Sequence, residues 1–112
     1  MNIPVYARFL NSINNVKKIS PDPEFDGCDD VLAFLAIAKA NGSAVKITDL
    51  VQSLQFGSGP TVHRKISVLA ERSMIDIFKN ANDGRAKILF LTAKGLAFLN
   101  ERSKLLKSCL IN

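Results

Sequence analysis

The side chains in this sequence that could do chemistry fall in two short runs. The first is GPTVHRKIS at 59–67, which holds Thr61, His63, Arg64, Lys65 and Ser67 and is preceded by Ser58. The second is NDGRAK at 82–87, which holds Asp83, Arg85 and Lys87. Hydroxyls and cations of this kind hydrogen-bond to phosphate oxygens and to base edges. They do not make a catalytic or metal centre. His63 is the only histidine, and a lone histidine with no cysteine or carboxylate cluster at ligand spacing cannot build a metal site. GSGPT is a glycine turn, but no lysine follows it at the spacing of a phosphate loop, and no nucleophile elbow occurs. The acidic run PDPEFDGCDD lacks the spacing of a calcium loop and contains two prolines, so it reads as a loop and a helix cap. The pattern therefore predicts no enzyme activity and no cofactor.

Charge placement points the same way. Over 112 residues the formal net charge is +5. Residues 1–30 hold three basic and five acidic side chains, net −2, whereas residues 57–94 hold seven basic and three acidic, net +4. The positive charge is concentrated in the half that carries both reactive runs, as a polyanion-binding surface requires.

The longest apolar run, VLAFLAIA at 31–38, is too short to cross a bilayer. No secretory leader pattern precedes the fold, so the expectation is a cytoplasmic, reducing setting with Cys28 and Cys109 as free, packed thiols.

The elements that must position the two runs can be read from periodicity. Residues 4–18 carry Tyr6, Phe9, Leu10, Ile13 and Val16 on one helical face. The proline- and glycine-bearing segment 19–27 stops that helix, and Asp26 is placed to cap the next. The second helix, 28–40, is apolar nearly all round at Val31, Leu32, Phe34, Leu35 and Ile37, as a helix buried in the middle of a small domain would be. Asn41-Gly42 ends it. A short extended piece at 44–47 leads to Thr48, a predicted cap, and a short helix burying Leu50, Val51 and Leu54. Gly57-Ser58-Gly59 breaks that helix and Pro60 opens another, with Val62, Ile66 and Leu69 turned inward. Thr61, Arg64 and Ser67 then lie on its opposite face.

Two alternating segments follow. Residues 74–80 set Ile75 and Ile77 inward against Asp76 and Phe78 outward, and residues 86–92 alternate Ile88 and Phe90 with Leu89 and Leu91. Asn82-Asp83-Gly84 between them has turn chemistry. Thr92 caps a final helix to about 111, with Leu96, Leu99, Leu106 and Leu110 in a stripe and Phe98 and Leu105 beside it. Two short helices around a glycine turn, followed at once by a hairpin, make a winged helix-turn-helix.

PTVHRKISVLAERSMIDI followed by NDGRAKILFLTAKG resembles the MarR-type (multiple antibiotic resistance regulator) winged-helix repressors. Pro60-Thr61-Val62-His63-Arg64, Leu69 and Met74-Ile75 match the start, buried leucine and exit of that family's recognition helix. Asp83-Gly84-Arg85, Leu89-Phe90-Leu91-Thr92 and Gly95 match its wing. The likeness spans about 30–98. Three features depart from the pattern. Ser73 stands where a C-capping glycine is usual, the GSG turn is a residue longer, and the chain is short for the family.

The resemblance implies a mostly α fold with a small β-hairpin wing, in a single domain over 1–112. It places a winged helix-turn-helix core at 28–92 and dimerisation helices at 4–18 and 92–111. It implies a homodimeric repressor of double-stranded DNA, with the recognition helix in the major groove and the wing in the minor groove. Ser58, Thr61, His63, Arg64, Lys65, Ser67, Asp83, Arg85 and Lys87 are the expected DNA-binding residues, with Lys79 adding sequence-independent attraction. No small-molecule effector can be named from the sequence. A second reading is a winged helix used only for protein contacts. Such a wing would expose apolar residues and lose its basic bias, and this one keeps Arg64, Lys65 and Arg85, although Val68 lies where the DNA-binding family often carries a charge.

Overall fold

The computed structural model describes the backbone of residues 2–19, 27–79 and 86–111, and the side chains of these apart from 19 and 109–111. The elements run α1 (Val5–Ile19), α2 (Asp29–Ala40), β1 (Val45–Lys46), α3 (Ile47–Ser53), α4 (Gly59–Glu71), β2 (Ile75–Lys79), β3 (Lys87–Leu91) and α5 (Ala93–Ile111). This is the predicted order of elements. The sheet is antiparallel with strand order β1-β3-β2, so the hairpin is extended to three strands by the two-residue β1.

The core gathers one face of each element. Val31, Leu32 and Leu35 of α2, Leu50 of α3, Val62, Ile66 and Leu69 of α4, and Ile75, Leu89 and Leu91 of the sheet form a single buried cluster. The inward stripe of α4 is as the spacing predicts. The second helix is less enclosed than its composition suggests, because Ile37 is exposed and the buried set is Val31, Leu32, Leu35 and Ala38. One face of α2 meets solvent, so apolar composition alone did not fix its burial.

Turn chemistry sets the junctions. Helix α3 begins one residue before the predicted cap Thr48. Lys46 holds the N-cap position, and its backbone N–H donates to Asp49 Oδ2 at 2.9 Å. The chain leaves α3 through Leu54 at φ 60°, a left-handed conformation rare for a leucine, and Leu54 is 80% exposed rather than buried. Phe56 then drops into the core and meets Phe34 edge-on, ring centroids 5.4 Å apart. Cys28 occupies the N-cap position of α2 without a side-chain cap bond. Asp26, the predicted cap, lies outside the described residues.

The C-terminus of α4 closes by a Schellman arrangement: Ser73 N–H donates to Ala70 O and Met74 N–H to Leu69 O, both at 3.0 Å. Ser73 takes φ 60° there, at the position where the family pattern has glycine. The Thr-x-x-Gly motif locks this exit to the start of α5. Thr92 Oγ1 donates to Ser73 O at 2.7 Å and accepts from Gly95 N–H at 3.1 Å, and Thr92 N–H donates to Met74 O at 3.1 Å. A β-carbon on Gly95 would overlap the Met74 carbonyl oxygen and stand 2.7 Å from Leu91 Cδ1. Only glycine lets α5 start this close to the strand entry.

In the hairpin, Ile75 pairs with Leu91, Asp76 with Phe90, Ile77 with Leu89, Phe78 with Ile88 and Lys79 with Lys87. Residues opposite each other share a face, so Leu89 and Leu91 point inward with Ile75 and Ile77, while Ile88 and Phe90 point outward with Asp76 and Phe78. Ile77 lies on the inner face but beyond the core edge, and is exposed.

The terminal helices pack together. Ser12 and Val16 of α1 are buried, and Arg102 of α5 donates from Nη1 to Val16 O at 3.4 Å while lying over the Phe98 ring. The predicted α1 stripe divides. Ile13 and Val16 face the domain, whereas Tyr6, Phe9 and Leu10 are exposed, as is Leu96 on α5. The side chains of Leu110 and Cys109 lie outside the described residues.

Candidate nucleic-acid interface

Helix α4 is amphipathic because its buried side chains recur at 62, 65, 66 and 69. The remaining positions are presented outward. His63, Arg64 and Ser67 are exposed, with Pro60 and Glu71 on the same side, and Thr61 and Val68 are half-buried at the margin. The face is thus polar and cationic toward the N-terminal end of the helix, with Glu71 at the far end.

Ser58 serves as the N-cap of α4. Its Oγ lies 3.4 Å from Thr61 N–H, which it accepts, and 3.0 Å from Thr61 Oγ1. The two hydroxyls therefore hold each other at the helix start. Gly57, at φ 112°, makes room for this pair: a β-carbon there would stand 2.9 Å from Thr61 Cγ2.

Lys65 requires a correction. Expected among the DNA-facing cations, it is 7% exposed, and its Nζ lies 2.9 Å from Asp30 Oδ2 at the start of α2. One position beyond Arg64, the side chain swings onto the inward face of the helix, where its charge is matched inside the domain. Nothing in the local pattern warns of this, since a lysine on a cationic helix ordinarily stays in water. Asp30 is correspondingly absent from the residues expected to serve α4. The only available signal is an aspartate in the first turn of a helix, and the helix dipole already accounts for that.

The buried Cys28 thiol lies beside this pair. Its pKa is raised above the ordinary thiol value, chiefly by burial. Arg64 and Lys65 pull it down less strongly, and Asp30 and Asp29 add a smaller upward push. The thiol is therefore a protonated, packed group rather than a nucleophile.

Lys87 and Lys79 stand opposite each other at the end of the described hairpin, both exposed. Asp83 and Arg85 lie outside the described residues. Among the described residues no cluster of histidine, cysteine or carboxylate groups could hold a metal ion, and no helix is long and apolar enough to cross a membrane. A cavity of about 500 Å³ opens between α1, the start of α2 and α5, lined by Ile13, Val16, Asp30, Leu99, Arg102 and Leu106.

A helix-turn-helix with its second helix exposed, completed by a three-stranded wing and flanked by paired terminal helices, defines the winged-helix class. The solved structures that this chain resembles have the same architecture. It superposes on a point mutant of Staphylococcus aureus MepR with TM-score 0.72 at 17% identity, covering 93% of this chain and 71% of that one. A MepR–DNA complex matches with TM-score 0.69 at 17% identity, over 93% of this chain and 73% of that one. A cysteine-to-serine mutant of Escherichia coli MarR, complexed with operator DNA, matches with TM-score 0.69 at 16% identity, over 94% of this chain and 69% of that one. Identity at this level establishes a shared fold. No family model and no curated protein sequence matches the chain.

Proposed function

We propose that this protein is a MarR-type, sequence-specific double-stranded-DNA-binding transcription regulator acting as a repressor. The observation that carries the reading is the outward face of α4. Arg64, His63 and Ser67 project from a helix whose other face is fully buried, and the Ser58–Thr61 pair fixes its start. A helix held this way can lie in a major groove with its N-terminal residues at base edges and phosphates. The hairpin beside it carries Lys79 and Lys87, and the segment joining its strands contributes Arg85. In this reading the arginine enters the adjoining minor groove and Asp83 orients it. The exposed Tyr6, Phe9 and Leu10 of α1 supply the apolar surface for a two-fold homodimer with α5. MepR and MarR have both been solved on DNA, which supports the reading for a chain of the same fold.

The test is binding of the full chain to duplex DNA, first to random sequence at low salt and then to a selected site. Arg64→Ala is expected to weaken the selected site by about 1–3 kcal/mol and to flatten preference among sequences. Equal loss on selected and random duplex would make Arg64 a phosphate contact only. Absence of binding to any duplex would remove the DNA reading. The second reading, a winged helix for protein contacts, draws on one specific observation: the outer face of the wing exposes Phe78 and Phe90.

A further inference from the structure

The outer face of the sheet exposes two aromatic side chains. Phe78 is 55% exposed and Phe90 46%, and their rings meet edge-on at 5.4 Å between centroids. Ile88 lies beside them on the central strand, opposite Phe78 and two residues before Phe90. Neither phenylalanine belongs to the core cluster. The helix and cations read as a nucleic-acid surface do not use this face either, because Lys79 and Lys87 alternate onto the other side of the strands.

Two charges flank the patch at opposite corners. Register places Lys46 of β1 beside Ile88, and Asp76 of β2 beside Phe90. Both therefore point outward with the aromatic rings, and both are exposed. Neither side chain has an ion-pair partner among the described residues. They are separated by two strand spacings, about 10 Å, and by two residues along the strand, about 7 Å. The midpoint of that diagonal falls at Leu89, in the centre of the patch.

We infer that this outer wing face, Phe78-Ile88-Phe90 with Lys46 and Asp76 at opposite corners, docks on the same face of a second copy of the chain. The charge pattern is self-complementary. A two-fold axis lying in the interface and crossing the diagonal at right angles at its midpoint sets Lys46 of each copy on Asp76 of the other, and both pairs form in one operation. The same rotation lays apolar side chains on apolar side chains and crosses the strands steeply, as in orthogonal sheet packing. An unrelated partner would have to supply this arrangement of charges by coincidence, whereas a second copy carries it by symmetry. Five side chains per copy make a small contact, whereas a stable complex takes roughly 20–30 residues a side and buries at least about 1,200 Å² in total. The contact is therefore weak in free solution and becomes effective where two molecules are held side by side at high local concentration. It is separate from the exposed stripe of α1, and it does not depend on DNA binding.

Sedimentation equilibrium of the full chain without DNA, at protein concentrations rising to the order of 100 µM as a weak contact of this size requires, tests it. Wild type should gain mass as concentration rises, in excess of any gain from the exposed α1 stripe, which every variant below shares. The Phe78→Ser/Phe90→Ser double variant should lose that excess. Asp76→Lys and Lys46→Asp should each lose it as well, since each sets like charges against each other across the axis. Mixed one to one, these two single variants should recover the association, because the two corner lysines of one variant then face the two corner aspartates of the other. All four substituted positions are exposed, and thermal melts confirm that each variant is folded. Wild type that never gains mass overturns the inference. So does a mass gain as large in the variants as in wild type, or a mixture that behaves like the separate single variants.

Discussion

Lys65 Nζ and Asp30 Oδ2 stand 2.9 Å apart and tie the middle of the outward-facing helix α4 to the first turn of α2. The lysine end is buried, while the aspartate side chain is 43% exposed. Removing the carboxylate leaves a buried ammonium without a partner, which is far worse than removing both charges. Asp30→Ala should cost about 1–3 kcal/mol, less than for a fully enclosed pair because water reaches the aspartate side. Lys65→Met should stay within about 1 kcal/mol of wild type, since it keeps the length and packing of the stem. Chemical denaturation of the two variants checks the asymmetry, and equal losses would mean that the pair acts by mutual attraction alone.

Gly95 is the second point where a single atom decides the structure. Its missing β-carbon leaves room for the Met74 carbonyl and Leu91. Gly95→Ala should destabilise by about 1–3 kcal/mol, as overpacking does, although alanine is the better helix former by about 1 kcal/mol. A melting temperature that rises in this variant would show that α5 can shift away from the sheet freely.

Ser73 sits at φ 60° in the C-terminal cap of α4. Its side chain gains nothing from that conformation, and only its backbone is used, by Thr92 and Ala70. Ser73→Gly should therefore stabilise the fold by about 1 kcal/mol, the left-handed cost outweighing the greater entropy of glycine in the unfolded chain. Equilibrium unfolding in urea reads this directly.

Burial raises the pKa of Cys28 in the folded chain. The neutral thiol is thus favoured by folding. Its contribution is fully present below the ordinary thiol pKa and is lost as pH rises through and past that value. Stability should be flat with pH across neutrality in this respect and fall on the alkaline side, and Cys28→Ala should show a shallower alkaline fall. The native thiol should also react slowly with a disulfide reagent at neutral pH, at a rate set by unfolding. Rapid modification of the folded protein would contradict its placement.

If the wing reads a minor groove, Arg85→Ala should weaken DNA binding most at A/T-rich flanks and reduce the salt slope by about one unit. Asp83→Ala should act in the same direction more mildly, with little change in folding from either, since an exposed ion pair is worth about 0–1 kcal/mol. Salt-dependent titrations on one duplex decide. Unchanged affinity for Arg85→Ala would return the hairpin tip to a purely structural role.

Local signals in the chain were enough for the elements, their order and the inward stripe of α4. The helical repeat of Val62, Ile66 and Leu69, the alternation through 74–92, and the Thr-x-x-Gly start of α5 are each written within one or two turns of chain. Ser73 was legible in the same way, as a non-glycine residue at a glycine position. Contacts between residues far apart in sequence were not legible. Lys65 leaves the cationic face because Asp30, thirty-five positions away, comes within reach of its ammonium. Ile37, Leu54 and Ile77 carry the periodicity of buried residues and are exposed, because no element among the described residues covers them. The outer-face placement of Phe78, Ile88 and Phe90 rests on the pairing register, and the corner position of Lys46 rests on β1, a two-residue strand too short to announce its partner. Periodicity records which side chains share a face. What that face meets is settled only when the chain closes on itself, since a salt bridge or a strand pairing depends on distance in space and not on spacing in sequence.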